Sequence, residues 1–525
     1  MVISGDDLIV ELLELHGVNT VFGLPGDGAS KIHDAVEKSD NVQYFSAQTA
    51  QAAVFMADGY ARATGNVGVC HLSGDAAVSA VPGIASAHAD KIPLLLITEQ
   101  MFVDDLTLEM PLDRHRDPFN HVDLQKLFDA VTKWNWRVEN REEIQQTIGQ
   151  AYEQIEFGSP GPIHLEIPSD VLDSESTEFL PSRGNVPQGA PLAAYFNMLT
   201  SHLTTLVAEM MTHAKYPAII AGGGVVSAGA GAELIQLAEI LNSPVYITPM
   251  SKGVIPSAHP LAAGLIGSAV DEADSSMVVR ANAVMAIGCS LSQRTTRDGQ
   301  LRLPKNLIQI DIEEKVIGRN YPVRIGMVAD AKTALRQIIG VIEDEKLETH
   351  NEWKIPSSGS STFGGFGPYQ GPNREIVESL RSALDRAAIL TVSGEYLTEL
   401  LLNYFDVSSP RSLLHSCDLG AAGYVLPAAI GAKVAHRSRQ IVAVTDRDEF
   451  SLMASELAAA AQRGINVTVL IIEHQHRNTQ PDVIKLAESF GLHGLRVETI
   501  AELKPTLASV SKLPNITVVD VPLLA

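Results

Sequence analysis

Short apolar runs alternate with amphipathic stretches along the whole chain. The runs are rich in Val, Ile and Leu and predict buried strands. They span 67–72, 93–98, 162–167, 218–222, 284–288, 307–312, 441–445 and 467–472. Between them, segments such as 231–241 and 454–464 have the apolar spacing of helices. Because apolar strands separated by helices are typical of parallel sheets covered on both faces, the pattern predicts an α/β fold.

Two segments rich in Pro, Gly and Ser interrupt this alternation, around residues 171–194 and 354–373. Such composition without periodicity is typical of linkers. A length of 525 residues also suggests about three domains. The predicted organisation is a first domain at 1–170, a linker at 171–190, a central domain at 191–345, a linker at 346–372 and a third domain at 373–525.

Composition and charge narrow the class of partner. The chain has 39 Lys and Arg residues against 62 Asp and Glu residues, a formal net charge of −23. This balance argues against nucleic acid or an anionic membrane surface as a main partner, although a local site for an anionic small molecule needs only a few donors. The three cysteines are far apart, and no signal peptide or long apolar span is present, so a cytoplasmic protein in a reducing compartment is expected.

A series of motifs in a fixed order adds a more specific indication. They are VFGLPGDG (21–28), FMADGYARATGNVGV (55–69), IASAHADKIPLLLIT (84–98), GPIHLEIPSDV (161–171), AGGG (221–224), IDIEEKVIGRN (310–320), GYVLPAAIGAKVA (423–435) and PDVIKLAESFG (481–491). With these motifs the chain resembles the thiamine-diphosphate-dependent decarboxylase and carboligase family, especially acetohydroxyacid synthase, benzoylformate decarboxylase and glyoxylate carboligase. The resemblance implies three doubly wound parallel-sheet domains: pyrimidine-binding-like, central and diphosphate-binding-like. It also implies a homodimer or homotetramer with active sites between subunits.

The motifs that hold the cofactor in this family differ here. Ala50 stands at the position of the glutamate that contacts the aminopyrimidine, although glyoxylate carboligase also lacks that carboxylate. Arg447 replaces the metal-binding aspartate of a Gly-Asp-Gly motif, between Asp446 and Asp448. Glu473 and His474 replace an Asn-Asn pair that completes the metal site. Ala422 replaces a large apolar residue that supports the cofactor.

These departures predict a repurposed enzyme that uses neither thiamine diphosphate nor magnesium. Its cleft would act on a small carboxylate or keto compound by acid/base or flavin-assisted chemistry, as a lyase or hydrolase. The candidate catalytic residues are Arg447, His474, Glu473, Asp448, Asn120 and His121. Arg447 could equally pair with neighbouring carboxylates and only fill the vacated space. No metal site is predicted, because His474 and His476 lack a third ligand.

The central domain suggests a second cofactor. In acetohydroxyacid synthase-like members of the family this domain binds FAD. The residues that fall at flavin-binding positions are Gly222, Gly223, Gly224, Thr248, Arg294, Asp311, Asn320 and Asp330. The glycines could instead be ordinary strand-to-helix turn residues, since a Gly-rich turn is weak evidence by itself.

Two alternatives to the repurposed enzyme stay open at this level. One is a non-catalytic homologue with a binding or regulatory role. The other is a conventional thiamine-diphosphate-dependent carboligase or decarboxylase with an unusual site. Binding of thiamine diphosphate with magnesium, or a flavin spectrum, separates these hypotheses.

Overall fold

The structure is a computed structural model. It describes residues 3–24, 30–100, 122–176, 193–266, 277–296, 298–355, 372–473, 481–511 and 513–522. Three six-stranded sheets dominate the described residues, and every strand pair within them is parallel. Helices cover these sheets, so the predicted α/β class with three doubly wound parallel-sheet domains is confirmed.

The strands of each sheet are given in their spatial order. The first sheet contains Gln43–Ser46, Thr20–Leu24, Gly68–Ser73, Leu94–Gln100, Pro162–Pro168 and Trp134–Arg137. The second contains Ala262–Leu265, Val245–Ile247, Pro217–Ala221, Ala283–Ile287, Leu307–Asp311 and Ile325–Val328. The third contains Leu413–His415, Ile389–Val392, Ile441–Thr445, Thr468–Ile472, Thr517–Val521 and His493–Arg496. A short antiparallel pair joins Ile3–Ser4 to Glu175–Ser176.

Helices connect these strands. Those of the first part of the chain are Gly5–Leu15, Lys31–Lys38, Ala50–Thr64, Val81–Ala89, Leu124–Asp129, Ile144–Glu156 and Ser169–Asp173. The central part has Ala193–Thr212, Gly223–Ser227, Gly231–Leu241, Gln293–Thr296 and Ala331–Asp344. The last part has Pro372–Ala383, Glu395–Tyr404, Val425–Ala435, Arg447–Leu452, Glu456–Gln462, Val483–Ser489 and Ile500–Val510. Short 3-10 turns occur at Gly74–Ala80, Arg141–Glu143, Pro249–Ser251 and Glu314–Val316. None of the described helices is long and apolar enough to cross a membrane.

The apolar runs in the sequence locate the strands well. The run at 441–445 forms the strand Ile441–Thr445, all five residues of which are buried. The helix predicted at 231–241 is Gly231–Leu241 in the structure, and its buried leucines face the core. Apolar periodicity succeeds here because each strand lies between two helical layers and must be apolar on both faces.

Two helices join the first and third sheets. Ala50–Thr64 packs against Val425–Ala435, and 13 of the 15 residues of the first helix and eight of the 11 residues of the second are buried. Glycines allow this close crossing: a Cβ on Gly59 would lie 2.2 Å from the carbonyl oxygen of Ala428, and one on Gly431 would lie 1.9 Å from that of Met56. The start of the first helix is thereby held beside the third sheet, where the cofactor-motif positions lie.

In the second and third sheets the strand order reverses beside the candidate residues. In the third sheet, Ile389–Val392 lies between Leu413–His415 and Ile441–Thr445. In the second, Pro217–Ala221 lies between Val245–Ile247 and Ala283–Ile287. Ligands of open α/β sheets bind at the carboxyl ends of the strands at such reversals. The predicted catalytic residue Arg447 lies at the reversal in the third sheet. The predicted flavin-binding glycines Gly222, Gly223 and Gly224 lie at the reversal in the second.

Candidate functional site

The helix Arg447–Leu452 begins directly after the strand Ile441–Thr445 of the third sheet. Asp446 caps this helix, because its Oδ1 accepts a hydrogen bond of 2.9 Å from the backbone N–H of Glu449. The carboxylate thus binds a helix N–H group that would otherwise be free for a phosphate.

Arg447 forms the centre of an ion-pair cluster at this edge. Its Nη2 lies 2.7 and 2.8 Å from the two carboxylate oxygens of Asp520, and its Nε lies 2.6 Å from Oε2 of Glu473. Asp520 is fully buried and also pairs with Arg496 at 3.0 Å. Burial raises the pKa of the Glu473 carboxyl, while the neighbouring Arg447 lowers it. The guanidinium therefore fills the position of the family's metal-binding aspartate and is held there by two carboxylates.

Glu449 holds the neighbouring segment 420–424 by hydrogen bonds to its backbone. Its Oε1 accepts hydrogen bonds from the backbone N–H groups of Gly423 at 2.7 Å and Tyr424 at 3.1 Å. Gly423 has φ of 83°, a conformation that an L-residue rarely adopts. Burial raises the pKa of Glu449. This carboxyl group fixes the end of the segment 420–424, which contains Ala422.

The first domain reaches the same place through the start of the helix Ala50–Thr64. The Nε2 of Gln51 donates a hydrogen bond of 3.0 Å to the carbonyl oxygen of Ala422. Glu456 is fully buried, and its two carboxylate oxygens accept from the backbone N–H of Gln48 at 3.0 and 3.2 Å. Its Oε1 also accepts from Thr49 Oγ1 at 3.3 Å. Burial raises the pKa of Glu456 to about 7. The protonatable carboxyl group of Glu456, in the third domain, therefore contacts Thr49, the residue that precedes Ala50.

The structure brings together only part of the predicted catalytic set. Arg447 and Glu473 are in contact, and Asp448 lies exposed on the first turn of the same helix. Asn120, His121 and His474 lie outside the described residues, so their roles stay predictions. Sequence reasoning missed two further residues, Asp520 and Glu456.

A signal for each missed residue exists in the sequence. Asp520 is the one charged residue within the apolar strand Thr517–Val521, and buried charges in such strands usually have a partner. Glu456 opens the alanine-rich helix Glu456–Gln462. Because burial of an acid at a domain contact depends on tertiary packing, neither signal identifies the partner.

A magnesium diphosphate requires a cluster of oxygen ligands for the metal. At this edge the guanidinium of Arg447 lies between Glu473 and Asp520, and Asp446 caps its own helix. The described side chains do not fit a magnesium ion at position 447 as they are arranged. Residues 474–480, which follow Glu473 directly, lie outside the described residues.

One group of metal-ligand side chains lies close together within the described ranges, namely Asp90, Cys417 and Asp418. The oxygens of Asp90 accept hydrogen bonds from the backbone N–H groups of Cys417 and Asp418 at 2.8 and 2.9 Å. They also pair with Arg62 at 2.8 Å, and Arg62 in turn pairs with Asp58. These contacts make the group a connection between the first and third domains, in which Asp90 and Cys417 are buried.

A cavity of about 400 Å³ lies at the strand-order reversal of the second sheet. It is bounded by all three parts of the chain and has the size of ligand pockets in proteins. Of the predicted flavin-binding residues, it is lined by Gly222, Gly223, Gly224, Thr248, Arg294, Asp311 and Asp330. Asn320 is not among the lining residues, and its Nδ2 donates to the carbonyl oxygen of Ser290.

The lining residues differ in what they offer a ligand. Gly222 and Gly224 pack against the backbone of Gly288, where a Cβ on Gly222 would lie 2.1 Å from the Gly288 carbonyl oxygen. Two of the glycines are therefore needed for close packing within the protein. Arg294 donates from Nη1 to the carbonyl oxygen of Cys417. Asp311 is 8% exposed, and burial raises its pKa.

The chain is similar to known proteins over nearly its whole length. The family models that match are the thiamine pyrophosphate enzyme N-terminal TPP binding domain at 3–127, the central domain at 204–338 and the C-terminal TPP binding domain at 396–478. A probable acetolactate synthase large subunit from Methanocaldococcus jannaschii is 33% identical, covering 96% of this chain and 89% of the relative. The large subunit from Haemophilus influenzae is 29% identical, covering 98% and 93%. The isozyme 3 large subunit from Escherichia coli is 28% identical, covering 96% and 92%.

These matches contradict two predictions from the sequence. The prediction of a repurposed enzyme without thiamine diphosphate is wrong, and so is the prediction that thiamine diphosphate and magnesium are not used. Both cofactor-binding domains are matched, and acetolactate synthase large subunits are similar along the whole chain. The prediction gave a few side-chain positions more weight than the complete three-domain framework. By this similarity over nearly its whole length, the chain belongs to the thiamine pyrophosphate enzyme family.

Proposed function

We propose that this chain is a thiamine-diphosphate-dependent enzyme that decarboxylates small 2-keto acids or joins their carbon skeletons, as an acetolactate synthase does. The observation that carries the proposal is the match of both TPP binding domains, in order, within one chain. The acetolactate synthase relatives support the substrate class.

The described residues suggest how the protein contributes to such a site. Glu456 and Gln51 fasten the start of the helix Ala50–Thr64 to the third domain, and Glu449 holds the segment 420–424. These contacts set the distance between the two halves of the cleft. We therefore assign Glu456 as a positioning residue, because it binds the backbone N–H of Gln48 and the hydroxyl of Thr49 at the start of this helix.

The test measures pyruvate consumption by the purified protein, with thiamine diphosphate and magnesium present or removed by dialysis. Turnover that depends on both is expected. Glu456→Ala should lower kcat about tenfold or more, since the hydrogen bonds from the Gln48 N–H and the Thr49 hydroxyl are lost. Glu348→Ala, at an exposed position of the central part, is the matched control. The proposal is wrong if none of a panel of 2-keto acids is turned over in a cofactor-dependent way.

We propose that the central cavity binds FAD. Its lining by seven of the predicted residues supports this, and Thr248, Arg294, Asp311 and Asp330 are the polar groups that would hold the cofactor. FAD would supply a ring system that can be reversibly reduced when bound. The visible absorption spectrum of the purified protein is the measurement. Arg294→Gln is expected to reduce flavin retention, while exposed Arg302→Gln is expected to leave it unchanged; a wild-type protein that neither retains nor takes up FAD contradicts the proposal.

We further propose that copies of the chain assemble as homodimers or homotetramers. Exposed apolar side chains flank the candidate cleft, among them Leu419 at 58% and Leu452 at 57%. Apolar groups at such a position are typical of surfaces that become covered. Light scattering on the purified protein distinguishes a dimer or tetramer from a monomer.

A further inference from the structure

A second cavity lies between the first and third domains, away from the candidate cleft. Its volume is about 570 Å³, and we call it the basic groove. Thr20 and Gln43 of the first domain and Asn466 of the third are among its lining residues. Thr20 and Gln43 begin strands of the first sheet, and Asn466 precedes the strand Thr468–Ile472 of the third. The groove therefore lies at the amino ends of the strands, opposite the edge that carries Arg447.

The charge of the groove differs from that of the whole chain. Of the described residues that line it, Lys433, Arg437 and Arg463 are basic and Glu37 is the one acid. In a chain with 62 acidic and 39 basic residues, neighbouring cations would ordinarily find carboxylate partners. In the part of the chain that the structure describes, these three contact carbonyl and amide oxygens instead: Arg439 O, Gln43 Oε1 and Tyr44 O.

The cations also have a structural role. Lys433 lies in the last turn of the helix Val425–Ala435, where a positive charge is favourable. Arg463 follows the helix Glu456–Gln462 and lies over the ring of Phe45, 5.9 Å from its centroid. However, a guanidinium has five N–H donors. Arg437 uses one of its donors in its contact with Gln43, and Arg463 uses one of its own in its contact with Tyr44. Both residues are exposed along the groove, so their remaining donors are available to a ligand.

We propose that the basic groove binds a small multivalent oxyanion, of the kind that carries a phosphate group. Arg437 and Arg463 supply the planar donor pairs that match phosphate oxygens, and Lys433 adds a third positive charge. Because the groove is bounded by both domains that form the candidate cleft, a bound anion would also hold these domains together. The proposal does not depend on the reaction catalysed at the other edge.

The test is calorimetric titration of the full-length protein with inorganic phosphate, without magnesium and at constant ionic strength. Saturable binding with one site per chain is expected. Arg437→Gln removes a charge-assisted contact, so the Kd should rise about tenfold. Its side chain contacts one amide oxygen at an exposed position, so this variant is expected to fold. The double variant Arg437→Gln/Arg463→Gln should abolish saturable binding.

Two control variants localise the effect. Arg302→Gln removes an exposed arginine elsewhere and should bind phosphate as the wild type does. Arg447→Gln changes the opposite edge and should also retain the binding. The proposal is overturned if phosphate shows no saturation, if the Arg437→Gln/Arg463→Gln protein binds like the wild type, or if Arg447→Gln is the variant that loses binding.

Discussion

At the scale of single residues, buried carboxyl groups distinguish this chain. Glu456 is the clearest case, because it is fully buried at a domain contact and accepts a hydrogen bond from the backbone N–H of Gln48 in the other domain. Asp520 is equally buried but is paired with two arginines. Among the described residues Glu456 has no counter-charge and Asp520 has two, so they should respond differently to pH and to mutation.

Glu456→Gln should change how stability depends on pH. The pKa of Glu456 is raised from 4.5 to about 7, so the folded protein holds this proton more tightly than the unfolded chain. The stability it contributes is full below pH 4.5 and is lost as pH rises through 7, by at most about 3 kcal/mol. Urea unfolding at a series of pH values should show a shallower decline for the variant. Glu348→Gln is the exposed control, and an unchanged slope for Glu456→Gln would contradict the prediction.

Arg447→Gln should destabilise the protein by about 2–4 kcal/mol, because it leaves the buried Asp520 with one cation and Glu473 with none. Arg496→Gln removes the more exposed partner, and its cost should stay below about 1 kcal/mol. The free energies of unfolding in urea give both values. Equal costs for the two variants would mean that Arg447 does not hold the cluster together.

At the scale of elements, the crossing of Ala50–Thr64 and Val425–Ala435 determines where the cleft forms. Gly431→Ala places a methyl group 1.9 Å from the carbonyl oxygen of Met56, so one helix must move. A loss of about 2 kcal/mol or more is expected, measured as the free energy of unfolding.

Helical glycines without close neighbours provide the matched control. A Cβ on Gly340 or Gly149 meets no atom within 4 Å. Gly340→Ala and Gly149→Ala should therefore be neutral or stabilising by about 0.5–1 kcal/mol, the difference in helix propensity. Destabilisation by these variants as large as that of Gly431→Ala would show that the helix crossing is not the cause.

At the scale of the whole molecule, the first and third domains depend on each other to bury their apolar surfaces. Thirteen of the 15 residues of the helix Ala50–Thr64 are buried, partly by its own sheet and partly by the third domain. A fragment of residues 1–190 should therefore aggregate when expressed alone, because this apolar face would be exposed. Co-expression with residues 373–525 should recover soluble complex, measured by size-exclusion chromatography. A soluble, folded 1–190 fragment would contradict this dependence.

The sequence by itself determined the fold class and the positions of most strands. Apolar runs such as 441–445 suffice for this, because burial between helical layers is encoded locally in residue type. The ordered motifs also identified the family. The same motifs led to a wrong prediction about the cofactor, because side chains at positions 50 and 447 were judged without the framework that surrounds them.

The tertiary structure alone decided which distant residues meet. Arg447 pairs with Asp520, 73 residues further along, and Glu456 binds Gln48, 408 residues away. The basic groove likewise combines residues from two domains. Residue type determines the chemistry of each side chain, but packing determines its partners and its burial. Partners and burial set the pKa of Glu456 and hold Arg447 in its ion pairs, so neither property could be inferred from local sequence.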